Sequence, residues 1–376
     1  MKLLEKYKID KFLLISIFLF IIISLITVYS SQSLLDSSKN SLVFKQLIWY
    51  IVGFLLIFFI MFIGNKNIYK YAWILYIIGN ISLLLLLIFG TEINNAKCWF
   101  TIPGIGTIQP SEFMKIFLII ILGKLINDFN NNYLNPSLKE EFLFLLKIGI
   151  IVLIPSVLTF LQPDTGVVLI YLLITLVMLF ISGIRYRWFF IFISILLLLI
   201  GSVVITYKIS QDLFIKIFST SFFLRVDRLL DWSNGSGYQL SNGLISIGSG
   251  GILGHGFNNT PLYFPEPQTD FIFAVFSSNF GLIGSLLLFI LIAFFDIKLI
   301  GTALKSNSNI NKYIISGIVG MLIYQQFQNI GMTIGLMPIT GITLPFISYG
   351  GSSLLSYMIM IGIIFNISNE NLKYKN

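Results

Sequence analysis

Long apolar runs separated by short polar connectors make up most of this chain. A bilayer core about 30 Å thick needs roughly 20 apolar residues per helix. The pattern therefore predicts an all-α polytopic membrane protein with ten transmembrane helices and a long extracellular loop, residues 208–270, between helices 7 and 8. The predicted spans are 12–30, 46–63, 71–90, 113–126, 142–161, 166–182, 188–207, 271–297, 313–336 and 344–367.

Composition excludes a soluble globular protein. The 376 residues are 56% hydrophobic and only 11% charged, whereas soluble domains contain about 25% charged residues. The net charge of +8 does not indicate a nucleic-acid partner, because the basic residues are scattered through short loops. No soluble domain or internal repeat is visible, which predicts one integral membrane domain over residues 1–376. The first run has spanning length and no cleavage site after it, so we interpret it as a transmembrane helix.

The positive-inside rule predicts the orientation. With a cytoplasmic N-terminus, alternation of ten helices places most of the 24 lysine and arginine residues inside and most of the acidic residues outside. Both termini are then cytoplasmic. The connectors with unusual chemistry all face outward, so we expect a site at the outer face. These connectors are 91–112, 162–165, 208–270 and 337–343, the last leading to Gly350, Gly351, Ser352 and Ser353, which interrupt the final apolar run.

The first outward loop, 91–112, ends in a helix start. Pro110 suits the first turn of a helix, and Glu112 complements the helix dipole there. Glu112 and Lys115 are three residues apart, so on a helix they share a face and can form an ion pair. Such a pair at the head of a membrane helix is either structural or part of a site. Trp99 is either an interfacial anchor or an aromatic platform for a sugar ring or an isoprenoid chain.

Three further carboxylates lie where apolar runs break. Asp164 follows Pro163, which must end one membrane helix before the next begins. This carboxylate either belongs to a functional site or accepts hydrogen bonds from the N–H groups freed at the break. Glu266 and Asp270 lie in P-E-P-Q-T-D, directly before an apolar run. Asp270 either caps that helix or serves as a general base, because poor solvation raises the pKa of a carboxyl group.

The stretch 225–256 is long and rich in glycine. Arg225 and Arg228 precede G-S-G-G-I-L-G-H-G, whose repeated backbone N–H groups can cradle a diphosphate beside two guanidinium groups. The segment is weak evidence for a nucleotide site, since no strand precedes it and no Lys-Ser/Thr follows. Residues 240–247 are amphipathic enough to lie along the membrane surface. We interpret His255 as a surface or hydrogen-bonding residue rather than a metal ligand or a base.

The chain has few side chains of the types that bind transition metals. Cys98 is the only cysteine and His255 the only histidine, so neither a disulfide framework nor a thiolate cluster is expected. Carboxylate groups remain suitable ligands for Mg²⁺ or Mn²⁺. No metal-binding residues are predicted.

Five blocks together resemble the SEDS family of bacterial cell-wall polymerases, which includes RodA, FtsW and SpoVE. They occur in the family's order over most of the chain, and as a set they are far more specific than any single motif. The blocks are W-F-T-I-P-G-I-G-T-I-Q-P-S-E-F-M-K-I, Q-P-D-T-G, G-Y-Q-L-S-N-G-L-I-S-I-G-S-G-G-I-L-G-H-G, P-E-P-Q-T-D-F-I-F-A-V and N-I-G-M-T-I-G-L-M-P-I-T-G-I-T-L-P-F-I-S-Y-G-G-S-S.

This resemblance implies a ten-helix peptidoglycan glycosyltransferase that polymerises lipid II at the outer face of the bacterial plasma membrane, with a class B penicillin-binding protein as partner. It implies that Asp270 is the essential acid and Trp99 the important loop tryptophan. Asp270 would deprotonate the 4-hydroxyl of the acceptor sugar, and basic residues or a divalent cation would stabilise the departing diphosphate. Other residues match motif positions of less certain role: Glu112, Lys115, Asp164 and Glu266.

The chain departs from the family pattern at three places. Cys98 stands where a second basic residue is common, and His255 replaces a more usual lysine. Ser277, Ser278 and Asn279 replace a frequent acidic pair. The subgroup is predicted to be RodA-like, from M-T-I-G-L-M-P-I-T-G, although P-E-P-Q-T-D-F also occurs in FtsW-like and SpoVE-like relatives.

Two other classes of function fit the same helices. Ten helices with a polar break at Pro163 and Asp164 also suit a transporter that flips lipid II. A scaffold without catalysis that recruits the penicillin-binding protein is the other alternative. The outward concentration of acids favours the enzyme, because a flippase needs polar groups along the whole path.

Overall fold

Helices make up most of the chain in a computed structural model that describes residues 9–35, 41–93, 96–102, 106–218 and 237–373. In chain order they are α1 (Lys11–Gln32), α2 (Leu42–Ile63), α3 (Asn65–Lys70), α4 (Ala72–Phe89), α5 (Pro110–Asn132), α6 (Leu138–Leu161), α7 (Thr165–Ile181), α8 (Arg187–Ile209), α9 (Gln211–Phe218), α10 (Tyr238–Ser249), α11 (Ile272–Leu304), α12 (Asn309–Thr333) and α13 (Gly351–Lys373).

Each predicted span overlaps a helix of 17 to 33 residues within these described ranges. Seven of these helices are long and apolar enough to cross a membrane, namely α1, α2, α4, α6, α8, α11 and α13, and α7 is a shorter apolar helix. The more polar helices α5 and α12 have most of their residues buried, so neighbouring helices shield their polar side chains from lipid. The chain is therefore a multi-pass membrane protein, and the number ten stays a prediction.

The last predicted span is wrong at its start, because α13 begins at Gly351 rather than at Leu344. Residues 342–350 cross the interior of the bundle without helical structure. Their carbonyl groups accept hydrogen bonds from α1 and α2, which replace the bonds that a helix would supply. The donors are Ser24 to Ile347 O (2.8 Å), Gln46 to Ser348 O (3.2 Å) and Tyr50 to Phe346 O.

A small antiparallel sheet lies between α4 and α5, in a region predicted only as a loop. Its strands are β1 (Thr91–Ile93), β2 (Ala96–Ile102) and β3 (Gly106–Ile108), with β2 in the centre. The pairing Thr101 with Thr107 and Ile102 with Gly106 fixes the register of β2 against β3. The fold is mostly helical as expected, and this small sheet is an addition that was not predicted, because its short strands give no clear alternation of polar and apolar residues.

The predicted loop 208–270 contains two helices in its described part. α9 follows α8 directly, and α10 includes the predicted amphipathic segment 240–247. Residues 219–236, with the predicted site residues Arg225 and Arg228, lie outside the described residues. None of the residues of α8 is buried, so most of this helix stands clear of the bundle.

The glycine-rich segment 250–256 closes a break in α11. The helix is kinked at Gly281, which has φ 62°. The N–H groups of His255 and Gly256 donate to the carbonyls of Ser278 (2.9 Å) and Asn279 (3.1 Å). On the other side of the break, two N–H groups of α11 donate to carbonyls of the segment.

This packing contradicts the predicted diphosphate cradle. The N–H groups of Gly250, Gly251 and Gly254 bind carbonyls at 247, 248 and 250, and His255 and Gly256 bind α11, so these donors are already used. The Ser249 hydroxyl lies 2.9 Å from His255 Nε2, which confirms the hydrogen-bonding interpretation of the histidine.

Replacing Gly254 with Ala should destabilise the protein. Gly254 has φ 82°, and an added methyl group would collide with the Asn279 carbonyl. The left-handed conformation costs a residue with Cβ roughly 1–2 kcal/mol before the collision is counted, so we expect a lower temperature of thermal unfolding in detergent. Gly248→Ala is the matched control, since a Cβ there meets no atom within 4 Å. Equal unfolding temperatures for the two variants would contradict the packing.

Candidate functional site

Segments far apart in the chain meet around one cavity of about 560 Å³. The lining comes from β2, from the starts of α5 and α7, from residues 266–270 before α11 and from residues 340–353. Five of the predicted site residues line it: Trp99, Glu112, Asp164, Glu266 and Asp270.

Asp270 lies on a loop that is fixed from two sides. Asn329 of α12 donates its side-chain amide to Asp270 O (2.9 Å) and to Ile342 O (2.8 Å). The Ser348 hydroxyl donates to Thr269 O at 2.7 Å. The non-helical stretch before α13 and the polar face of α12 therefore hold the backbone of Asp270 in place.

The Asp270 side chain is not a helix cap. α11 has Phe271 as its N-cap residue and no side-chain cap hydrogen bond. The N–H of Phe271 donates instead to the carbonyl of Glu266 (3.2 Å). Gly341, with φ 72°, comes so close that a Cβ there would lie 3.5 Å from Asp270 Oδ2. The carboxyl group is thus presented to the cavity rather than used by the helix.

The electrostatic surroundings of Asp270 suit a proton acceptor. Burial raises the pKa of Asp270 to about 7, and the negative charge of Glu266 adds to the rise, while a hydrogen bond from Thr269 opposes it. Glu266 has φ 51°, and its Oε2 accepts from Gln268 Nε2 (2.9 Å) and Thr269 Oγ1 (3.2 Å). Glu266 is therefore held beside Asp270, and Asp270 has a pKa near the pH at which a general base works best.

Asp164 lies in the same cavity with a different set of partners. Its Oδ1 accepts from the N–H of Val167 (3.2 Å), as expected of a cap at the break after Pro163, and its Oδ2 accepts from Gln109 Nε2 (2.8 Å). Burial raises the pKa of Asp164 to about 6, although the Val167 bond opposes the shift. The cap interpretation is confirmed, and Oδ2 and Gln109 both face the cavity.

Glu112 and Lys115 form the predicted ion pair, with Lys115 Nζ 2.7 Å from Glu112 Oε2. Lys115 is fully buried, and Glu112 is only 6% exposed. Lys115 Nζ also lies 5.6 Å from the centre of the Tyr357 ring, where a cation is attracted by the ring face. Glu112 lines the cavity, whereas Lys115 lies behind it.

Cys98 occupies the position at which the family has a second basic residue. It is buried, and its Sγ donates to Gln162 O at 2.8 Å. Burial raises the pKa of the thiol to about 12, so the side chain stays neutral. Among the cavity-lining residues that the structure describes, Lys45 is the one lysine or arginine.

No group of three or more His, Cys, Asp or Glu side chains within the described ranges is arranged to hold a metal ion. The divalent cation considered from the sequence therefore has no assigned ligands.

Sequence reasoning missed several residues of the site. Asn329 and Gln109 position the two acids, and Gly341 lies against Asp270. Asn329 had a usable signal, because a polar side chain inside a predicted membrane span is costly unless it is bonded. Gln109 and Gly341 lie in loops, where their residue types are common and carry no such signal.

The sequence is similar to those of named protein families and proteins over almost the full length of the chain. The model of the FtsW/RodA/SpoVE family, described as cell cycle protein, matches residues 9–373. Stage V sporulation protein E of Bacillus subtilis (strain 168) is 34% identical over 372 residues, which cover 96% of each chain. Peptidoglycan glycosyltransferase MrdB of Helicobacter pylori is 32% identical over 357 residues, which cover 92% of this chain and 86% of that relative.

The fold is also that of a solved protein. A chain from a structure on the coordination of polymerization and crosslinking by a peptidoglycan synthase complex superposes with a TM-score of 0.79. It is 25% identical, and the match covers 96% of this chain and 98% of that one. Since the family model matches residues 9–373, which include every residue that lines the cavity, the chain belongs to the FtsW/RodA/SpoVE family, the SEDS family.

Proposed function

We propose that this protein is a peptidoglycan glycosyltransferase and that Asp270 is its general base. The observation that carries the proposal is the Asp270 carboxyl group, which faces a cavity, has a pKa raised to about 7 and is not used as a cap. The reaction class, glycosyl transfer, is the one named for relatives such as MrdB. The family model matches all of the residues that line the cavity.

The proposed reaction joins two lipid-linked sugars. Asp270 takes the proton of the 4-hydroxyl of the acceptor GlcNAc in lipid II, and the oxygen attacks the anomeric carbon of the growing strand. The bond to undecaprenyl diphosphate breaks, and that group leaves with its electron pair. Trp99 is proposed to pack against a sugar ring or the isoprenoid chain, while Asp164 and Gln109 offer hydrogen-bonding groups at the same cavity.

Lys45 is proposed to stabilise the departing diphosphate, because it is the cavity's cation among the described residues. Lys45→Gln should lower the polymerisation rate about 10-fold, which corresponds to about 1.4 kcal/mol. The matched control is Lys208→Gln, since Lys208 is exposed and does not line the cavity. Equal rates for both variants would remove Lys45 from the mechanism.

Asn329 is proposed to position Asp270. Asn329→Ala removes two hydrogen bonds worth about 1 kcal/mol each, and we expect the turnover rate to fall roughly 10-fold while KM changes little. The control is Gln328→Ala on the same helix, whose side chain binds Pro338 O (2.8 Å) rather than the Asp270 loop. A change confined to KM would contradict a positioning role.

The cavity is proposed to face the outside of the bacterial plasma membrane, on the strength of the distribution of basic residues. A class B penicillin-binding protein is proposed as partner, which is consistent with the similarity to a chain of a peptidoglycan synthase complex. The RodA-like subgroup stays a prediction, since differently named relatives have similar sequence identities to this chain, 34% and 32%. Rounded cells on depletion would support elongation, and unseptated filaments would support division.

The deciding experiment incubates the purified protein and a class B penicillin-binding protein with lipid II. Glycan polymer that is lost on Asp270→Ala supports the enzyme. Movement of lipid II across a vesicle bilayer without polymer would favour the flippase, and normal cell shape with the Asp270→Ala chain would favour the scaffold. Repeating the assay with EDTA, and then with added Mg²⁺ or Mn²⁺, decides whether a divalent cation takes part.

A further inference from the structure

Trp49 of α2 lines the Asp270 cavity, and the proposed reaction gives it no role. Its indole ring is half-buried and lies against backbone on two sides. A Cβ at Gly351 would come within 2.6 Å of ring atom Cε2, and a Cβ at Gly106 would lie 3.9 Å from Cζ2. The ring therefore has a defined place where β3 and the start of α13 meet α2, and any larger residue at 351 would displace it.

The part of α2 that carries this tryptophan is tied to the loop of Asp270. Gln46 and Tyr50, on either side of Trp49 in the chain, donate hydrogen bonds to carbonyls of the segment 342–350. A serine of that segment in turn bonds the backbone beside Asp270. A side chain supported in this way can hold a substrate at a constant distance from the reacting carboxyl group.

The ring has the chemistry to bind an amphiphile. Its indole N–H donates to no group in the described parts of the chain, whereas the indole N–H of a buried tryptophan usually finds a partner. The rest of the ring is apolar and lies at the wall of a cavity. A flat apolar surface with a donor at its edge suits an apolar chain that is attached to a polar group.

Trp49 also lies where the cavity wall borders the membrane. Lys45 is one turn earlier, in the first turn of α2, and both side chains line the cavity. Residues four apart share a face of a helix, and the ring lies about 6 Å farther along α2 than the lysine. The neighbouring residues Leu47, Ile48 and Ile51 are 40–55% exposed, as expected of side chains that face lipid.

This order of groups matches a prenyl diphosphate, in which an anionic head at the membrane surface is followed by an apolar chain that enters the hydrocarbon. A sugar ring is another ligand for an aromatic side chain, but a sugar beside the lipid-facing part of α2 would lose hydrogen bonds to water. A tryptophan near a membrane interface can also be a simple anchor. The contact with Gly351 and the place in the cavity wall favour a ligand.

We propose that Trp49 binds the polyprenyl chain of a lipid-linked substrate next to its diphosphate, with Lys45 at the phosphates. The inference rests on the proposed function, because it takes the ligand of the Asp270 cavity to be a lipid-linked sugar. It makes α2 the side from which the lipid chain leaves the cavity for the membrane. Trp49 holds the substrate and takes part in no proton transfer.

The test measures binding as well as turnover. The purified full chain is mixed with undecaprenyl diphosphate that carries a photoreactive diazirine on its first isoprene unit. After irradiation, mass spectrometry of peptides should find the label on α2 residues 45–52. Trp49→Leu should lower this labelling about 10-fold, which corresponds to about 1.4 kcal/mol, and should raise the KM for lipid II while kcat changes little. Trp49→Phe should retain most of both.

Two further variants keep the result specific. Trp73→Leu is the matched control, since Trp73 on α4 is 39% exposed and does not line the cavity, and it should leave labelling and KM unchanged. Gly351→Ala should reproduce the effect of Trp49→Leu, because the added methyl group displaces the ring.

The outcomes separate this inference from the proposed reaction. An inactive chain that is still labelled on α2, in a manner that depends on Trp49, would contradict the reaction and support the lipid site. Normal polymerisation without label on α2 would overturn the lipid site alone. If Trp49→Leu lowers only the temperature of thermal unfolding, with normal labelling and KM, Trp49 is a packing residue and the proposal is wrong.

Discussion

Asp270→Asn should lower the rate of glycan polymerisation from lipid II by at least 100-fold. Asparagine keeps the shape of the side chain but cannot accept the proton, and general base catalysis contributes roughly 10²–10⁴-fold. The side chain makes no cap bond to α11, so the fold should survive the change. The matched control is Asp212→Asn, an exposed carboxylate on α9, which should polymerise at the normal rate. Near-normal turnover of Asp270→Asn would rule out proton abstraction by this residue.

The pH dependence of that rate follows from the same carboxyl group. A base works only when it is ionised, and the pKa of Asp270 is raised to about 7. Activity should therefore rise with pH between about 6 and 8 and be lost as pH falls through 7. Glu266→Gln removes a negative charge that contributes to the raised pKa, so the acid limb should move to lower pH. If the acid limb of the pH–rate profile stays at the same pH in Glu266→Gln, the charge of Glu266 does not affect the pKa of Asp270.

Lys115→Met should cause the largest loss of stability. It leaves Glu112 buried without its cation, and removal of one partner of a buried pair costs roughly 3–5 kcal/mol. Thermal unfolding in detergent should show a much lower midpoint than Lys124→Met on the same helix, since Lys124 belongs to none of the ion pairs within the described ranges.

A double variant separates structure from catalysis at this pair. Glu112→Gln combined with Lys115→Met leaves no buried charge, so most of the lost stability should return. Recovered stability with recovered polymerisation would make the pair structural, whereas recovered stability without activity would assign Glu112 a role at the cavity that it lines. A stable Lys115→Met single variant would contradict the buried pair itself.

The sequence was informative wherever a residue's role depends on its near neighbours. Spacing on a helix predicted the pair of Glu112 and Lys115, and Pro163 marked the break that Asp164 caps. The helices at the ten apolar runs were predicted from the length of each run and the spacing of its apolar residues. These features depend on contacts within a few residues, which a chain read in order makes visible.

Sequence reasoning failed where the structure depends on contacts between distant segments. The run L-P-F-I-S-Y was assigned to a helix because it is apolar, yet its carbonyls are bonded by α1 and α2. A diphosphate cradle was one interpretation of the glycines of 250–256, because nothing in the sequence shows that they fit the break at Gly281. The role of Asn329 likewise depends on two loops that the pattern cannot bring together.

The crossing segment 342–350 has a consequence for biogenesis. Its carbonyl groups would be costly in lipid without hydrogen-bond donors, and the side chains that supply these donors belong to α1 and α2. The segment can therefore reach its final conformation only after α1 and α2 are in place. Because Ser348 also bonds the backbone beside Asp270, completion of the site depends on α1 and α2, and the cavity is unfinished until these helices are packed against the segment.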